Sequence, residues 1–292
     1  MKPLHIFLLI LVGAVWGFNF VFVKTGLQEI PPLLFCFLRF FLLSIPAVFF
    51  FKRPTVPFKW VVIYSLVMFV LQFALMFLGM HSGISAGLGS LLLQTQVFFS
   101  LFFAFVILKE KIHRWQLFGG LLSFAGIGFV GLNLGGGATL LGLFLVLSAA
   151  ATWGLGSVMV KKMGKTQSGS LLAWGGLIAW PPLLILSLFF EESYPVLLNM
   201  HHLSMASYVA ILFLTIGSTI FGFGIWNWLV QIYPLATIAP FTLLVPVFGI
   251  FSSVLFLGEA LEPWKVVSGL LVISGLCFNI LGSRAVAAKE QM

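Results

Sequence analysis

Seven side chains able to hydrogen-bond fall inside otherwise apolar stretches: Asn19, Arg39, Gln72, His81, Gln94, Gln96 and Asn227. In lipid each costs free energy unless it meets a partner or a wet interior, so such residues mark substrate paths. At helical spacing Trp16 shares a face with Asn19 (i, i+3), and Gly222 shares one with Trp226 (i, i+4). Together they offer an aromatic wall and amide groups suited to a zwitterion. Gln94 and Gln96 stand about 200° apart at roughly 100° per residue. The expectation is that only one of them reaches a narrow cavity, and Gln94, on the face of Ser90, is preferred to Gln96, on the face of Gly89 and Ser100.

Arg39 would cost about 2.5–3.5 kcal/mol at a helix centre on insertion scales. Structural pairing and substrate contact both remain open for it. Pro240 and Pro246 bracket the start of one apolar stretch, where a missing N–H frees carbonyls for an ammonium or water; a simple kink is the other reading. No Glu lies in the middle of a stretch and the chain has no Asp, which disfavours proton exchange through a buried carboxylate.

Other motifs carry less. Gly83-Ile84-Ser85-Ala86-Gly87 matches G-x-S-x-G, but apolar helices flank it where a nucleophile elbow needs a strand, and no Asp is available for a triad. Gly79, Gly83 and Gly87 are instead expected to pack the third helix closely on the fourth. Gly164-Lys165-Thr166 resembles the end of a P-loop, yet Met159 occupies the first glycine's place, so no ATP site is expected. His201-His202 lacks further ligands at i+3 or i+4, and Cys36 and Cys277 sit in apolar runs. No metal, cofactor or catalytic residue is expected.

The elements that must position these groups follow from composition. Of 292 residues 61% are apolar, 8% are charged and 34 are Phe, too much apolar surface for a soluble domain. Since a helix needs about 20 residues to cross the hydrocarbon, the runs predict ten helices, near 4–23, 33–51, 60–79, 86–108, 115–132, 140–160, 170–190, 205–230, 235–257 and 265–282. The net charge of +8 is spread over short gaps and does not form a nucleic-acid face. With both termini cytoplasmic, twelve basic residues fall inside, from Lys2 through Lys52, Arg53, Lys59, Lys109, Lys111, Arg114, Lys161, Lys162 and Lys165 to Arg284 and Lys289. Only Lys24 and Lys265 fall outside, which fixes the expected orientation. The gap at Gln231 to Ala236 is uncharged although it is assigned inside.

The chain also repeats itself. Trp16-Gly17, Asn19 and Lys24 recur as Trp153-Gly154, Gly156 and Lys161, 137 residues on. Glu110, Trp115, Gly120 and Gly126 recur as Glu259, Trp264, Gly269 and Gly275 at an offset of 149, the extra residues falling in the 190–203 loop. Five helices per half is an odd number, so equivalent helices cross in opposite senses, the plan of secondary transporters. The expected fold is an all-α membrane protein, two inverted five-helix repeats (1–134 and 135–292) around a central cavity.

Trp16-Gly17-Phe18-Asn19-Phe20 with Lys24, Pro31-Pro32-Leu33, Leu38-Arg39-Phe40, Ala86-Gly87-Leu88 with Gln94 and Gln96, Gly224-Ile225-Trp226, and Ala239-Pro240 through Leu243-Leu244-Val245-Pro246-Val247 together resemble the drug/metabolite transporter superfamily. Within it they resemble the EamA-type exporters over nearly the whole chain. The resemblance implies ten helices in the cell inner membrane, a cavity between the halves, and efflux of small metabolites such as cysteine-pathway intermediates or other amino acids. One departure is Val97, which stands where the counterpart of Pro246 belongs, so the two halves are expected to bend differently.

The resulting expectation is alternating access by a monomer or homodimer. The small-molecule substrate is held among Trp16, Asn19, Gln72, Gln94, Trp153 and Trp226, and Arg39, Pro240, Pro246, Gly83 and Gly87 have structural or gating roles. Two alternatives remain: a drug or hydrophobic-cation exporter, which would want a mid-span counter-ion, and a membrane-embedded enzyme or assembly factor, which would want an acid, base or metal cluster.

Overall fold

Runs of about twenty apolar residues fold as helices in this chain because only a helix satisfies its own backbone in lipid. The computed structural model describes residues 1–110, 112–134, 138–164, 167–233 and 239–290. Among these there is no strand. The helices are α1 (Pro3–Gly26), α2 (Pro32–Phe50), α3 (Phe58–His81), α4 (Ala86–Leu108) and α5 (Arg114–Leu132), then α6 (Leu140–Met163), α7 (Ser168–Phe190), α8 (205–232), α9 (239–257) and α10 (Pro263–Glu290). Eight are long and apolar enough to cross a membrane, and the two shorter apolar stretches belong to α9 and α10. The expected ten-helix, all-α architecture is present, with α10 continuing beyond the expected 282.

The repeat is written in the backbone. In α3 the winding changes after Ser65 to a π-helical stretch, Leu66–Leu71; in α8 it changes after Leu212 to Phe213–Phe223. Both changes follow eight α-helical residues. In α8 side-chain hydroxyls compete for backbone acceptors: Thr215 donates to the Ile211 carbonyl at 2.9 Å and Thr219 to that of Leu214 at 2.7 Å.

Helix α4 breaks into Ala86–Leu93 and Gln96–Leu108 around a tight turn, held by i→i−3 bonds such as Gln94 N to Leu91 O (3.2 Å) and Thr95 N to Leu92 O (3.1 Å). The Thr95 hydroxyl adds a bond to the Leu92 carbonyl at 2.7 Å. Helix α9 starts with a 3₁₀ segment, Ala239–Leu243, and becomes α-helical at Leu244. The change of winding at Leu243 and Leu244 in α9 stands at the position equivalent to the break at Gln94 and Thr95 in α4. A hydroxyl and a 3₁₀ turn do in α4 what proline accompanies in α9.

The seams between repeats are equally symmetric. A Cβ at Gly17 would lie 2.5 Å from Phe248 Cβ and 2.8 Å from Gly249 N, where α1 crosses α9. A Cβ at Gly154 would lie 2.8 Å from Phe99 Cβ and 2.7 Å from Ser100 N, where α6 crosses α4. Only hydrogen fits at either crossing. Gly79, Gly83 and Gly87 do not act as the expected stripe between α3 and α4. Gly79 abuts Val146 and Gly142 of α6, Gly83 sits at φ +112° in the turn against Thr139, and Gly87 faces Ser253 and Ile250 of α9. The α3–α4 turn reverses the chain, so a four-residue spacing no longer describes one face.

Candidate functional site

Helices α1, α2, α3, α4, α6, α8 and α9 converge on a cavity of about 80 Å³, measured to the centre of a water molecule. Several of the polar groups there are delivered by the irregular turns of α3, α4 and α8. Gln72 and Phe73 follow the π-helical stretch of α3, Ser218 and Phe223 belong to that of α8, and Gln94 and Gln96 flank the break in α4. Such irregular turns recur at functional sites because they displace the face that a regular helix would present.

Of the expected substrate-binding residues, Trp16, Asn19, Gln72, Gln94 and Trp153 line the cavity. Trp226 does not line it. It stands behind Trp16, with ring centroids 5.5 Å apart, because the wider π winding puts Phe223 on the cavity side. Phe223 lies 5.2 Å from the Trp16 ring and stacks near-parallel on Trp153 at 6.3 Å, closing an aromatic wall from both repeats. The Trp16 indole donates to the Ser218 carbonyl at 3.1 Å, which fixes its plane.

Gln96 lines the cavity together with Gln94, so the expectation that only one would reach it is corrected. Residues in a 3₁₀ turn advance about 120° each, and the break bends the two amides toward one space. The Gln96 amide donates to Gln94 Oε1 at 3.5 Å, while Gln94 Nε2 donates to the Thr242 carbonyl at 2.7 Å, tying α4 to α9. Ser90 packs against Gly249 and is absent from the wall.

Arg39 also lines the cavity, although its side chain is only 1% exposed. Its Nε and Nη2 donate to the Thr219 hydroxyl at 3.1 and 2.9 Å, and its guanidinium lies 4.3 Å from the Phe73 ring centroid. It is the one charged residue on the cavity wall among the described residues. Four buried atoms of the wall have no protein partner: Asn19 Oδ1, Gln72 Oε1, Gln96 Oε1 and Arg39 Nη1. A buried polar group left unsatisfied costs about 1–3 kcal/mol and more when charged.

Pro246 is buried at the start of the α-helical part of α9 and lies outside the wall; the side chains of Asn227 and Pro240 lie outside the described residues. A larger crevice, about 680 Å³ on the same measure, runs between α2, α7 and α8. Its lining is mostly apolar, from Leu43 and Phe50 to Ile220 and Trp228, and none of the unpartnered polar atoms belongs to it. The unpartnered polar atoms of the walls are thus confined to the smaller, central cavity.

Known proteins agree with this architecture. A probable amino-acid metabolite efflux pump of Salmonella typhimurium is 37% identical over 284 residues, covering 95% of each chain. Its namesake in Escherichia coli is 36% identical over the same length and the same shares. A solved crystal structure, 15% identical, superposes with a TM-score of 0.66 over 98% of this chain and 99% of its own, a likeness of fold. The EamA-like transporter family model matches twice, at residues 3–132 and 140–281, once for each repeat. With both halves matched, the chain belongs to the EamA-like transporter family.

Proposed function

We propose that the chain is a secondary transporter that exports small amino-acid-like metabolites, cysteine, O-acetylserine or related amino acids, by alternating access. It works from the cell inner membrane with both termini cytoplasmic. The observation that carries this reading is the central cavity, walled by Trp16, Asn19, Gln72, Gln94, Gln96 and Trp153, three of which bury amide oxygens that have no protein partner. One water takes about 10–15 Å³ on the measure used for its volume, so the space suits a molecule of amino-acid size. The names of the two relatives support the same substrate class.

Alternation would use the paired irregularities. The break in α4 and the 3₁₀ start of α9, like the π stretches of α3 and α8, stand at matching places in the two repeats, and exchange of their shapes would move access from one face to the other. Gly83 and Gly87 at the α3–α4 turn and Pro240 and Pro246 in α9 would serve those movements. A hydrophobic cation is poorly served by the cavity, where it would meet Arg39 and no carboxylate.

The test is counterflow into proteoliposomes containing the purified chain, with labelled cysteine, O-acetylserine and threonine. Saturable exchange of at least one is expected. Absence of flux for every amino acid would overturn the substrate class.

A further inference from the structure

We propose that Arg39 is the carboxylate-binding residue of the central cavity, opposed by three amide oxygens that take the ammonium of the same ligand. The site then selects molecules carrying both groups and excludes their carboxamides and decarboxylated amines. This deepens the exporter reading and rests on it.

Consider first what an arginine held only for structure requires. A guanidinium has five N–H donors and keeps its charge at any physiological pH. When buried it is normally matched by a carboxylate or by several carbonyls, since an uncompensated buried charge is among the costliest features a protein can hold. Arg39 has neither. Its side-chain hydrogen bonds both end on one oxygen, the hydroxyl of Thr219, and its Nη1 has no partner. The Thr219 hydrogen is already given to the Leu214 carbonyl at 2.7 Å, so its oxygen is held as an acceptor toward the arginine. Phe73 lies against the guanidinium, 4.3 Å from its ring centroid to Cζ. The group is thus oriented by one hydroxyl and the rings of Phe73 and, at 5.8 Å, Phe40, while no carboxylate meets its charge beside the cavity.

Asn19, Gln72 and Gln96 line the same cavity as Arg39. The unpartnered oxygens of Asn19, Gln72 and Gln96 are neutral acceptors. Against a guanidinium they compensate little charge, but they match the three N–H donors of an ammonium. A cationic donor and three neutral acceptors on one wall are complementary to a zwitterion, and a carboxylate on the arginine supplies the missing anion. The position equivalent to Arg39 in the second repeat is Gly176, so the carboxylate end is read by the first repeat alone.

The experiment compares ligands before it compares proteins. Tryptophan fluorescence of the purified full-length chain is titrated with L-cysteine, O-acetyl-L-serine and L-threonine, their carboxamides, and the amines left by decarboxylation. The same compounds compete in the counterflow assay. Charge-assisted hydrogen bonds set the expected preference for acid over carboxamide at roughly tenfold to a hundredfold. In Arg39→Gln the preference should fall to about twofold or less, and Arg39→Lys should recover part of it. A wild-type chain that binds and moves acid and carboxamide alike overturns the role of Arg39 and leaves the exporter reading standing. So does an Arg39→Gln chain that still discriminates. A wild-type chain that neither binds nor moves any of the acids overturns both. The ligand series needs no variant to fold.

Discussion

Lys109 ends α4 and Gly258 ends α9, both in the left-handed region at φ 59° and 64°, and they stand at equivalent positions 149 residues apart. A lysine seldom takes that conformation and a glycine takes it freely, so the two repeats keep the same backbone device with different residues. The π stretches of α3 and α8 follow the same rule. Side chains do not. Asn19, Arg39 and Gln94 of the first repeat correspond to Gly156, Gly176 and Leu243 of the second. The backbone irregularities recur in both repeats, whereas these polar positions of the first repeat are glycine or leucine in the second.

The equivalence of the backbones is broken most directly at the helix crossings. Gly17→Ala and Gly154→Ala place a Cβ within 2.8 Å of the opposing backbone, overpacking that typically costs about 1–3 kcal/mol. Both variants should lose thermal stability in detergent by similar amounts. If one proves silent, the α1–α9 and α6–α4 seams are not the equivalent contacts their geometry implies.

A smaller effect separates the equivalent residues Glu110 and Glu259. Glu259 accepts from the N–H of Ala86 at 2.6 Å and of Gly87 at 3.1 Å, capping α4, while nearby Lys24 donates to the Met80 and Ile84 carbonyls. At the opposite end Glu110 pairs with Lys161 at 2.6 Å, and both side chains are largely exposed. Losing a charged cap costs about 1–2 kcal/mol, whereas exposed pairs contribute about 0–1. Glu259→Gln should therefore lower the melting temperature clearly and Glu110→Gln hardly at all. Equal losses would mean that the exposed pair carries more than its surroundings allow.

These differences also mark what was legible in the sequence. The spans were, because twenty-odd apolar residues have few other fates, and so was the inversion, because Trp16-Gly17 and Trp153-Gly154 occupy equivalent crossings. The break at Gln94 was not: a threonine hydroxyl and two i→i−3 bonds leave no signal comparable to proline. Hence Gln96 was set apart from a cavity that it lines. Trp226 was misplaced for a related reason, since π winding changes which residue follows Gly222 on a face and hydrophobic pattern does not reveal winding. Asn19, Gln72 and Gln94 were found because polarity in lipid must be explained. Arg39 stands out on the same ground, but that no carboxylate meets it and that Nη1 has no partner is visible only in three dimensions.

The smallest effect concerns two carboxylates at one end of the bundle. Glu29 accepts from Ser204 N and Oγ, both at 2.9 Å, and from Ser207 Oγ at 2.6 Å, at the start of α8. Those bonds, with that of Ser207 foremost, hold its carboxyl below the ordinary value of 4.5. Glu191 accepts from Leu33 N at 2.8 Å and Leu34 N at 3.1 Å, capping α2, yet burial pushes its carboxyl up against those bonds and against nearby His81. The two therefore respond to acid in opposite senses. Glu29 binds its proton more weakly in the folded chain, so its contribution is complete above the ordinary value and lost as pH falls through the lowered one. Glu191 binds its proton more tightly when folded, so its contribution is complete at low pH and lost as pH rises through the raised value. Melting temperatures in detergent between pH 7 and 4 should fall on the acid side for the wild type, and Glu29→Gln should flatten that limb. Glu191→Gln should keep the limb and gain relative to the wild type as pH rises. An acid limb as steep in Glu29→Gln as in the wild type would show that other groups set it.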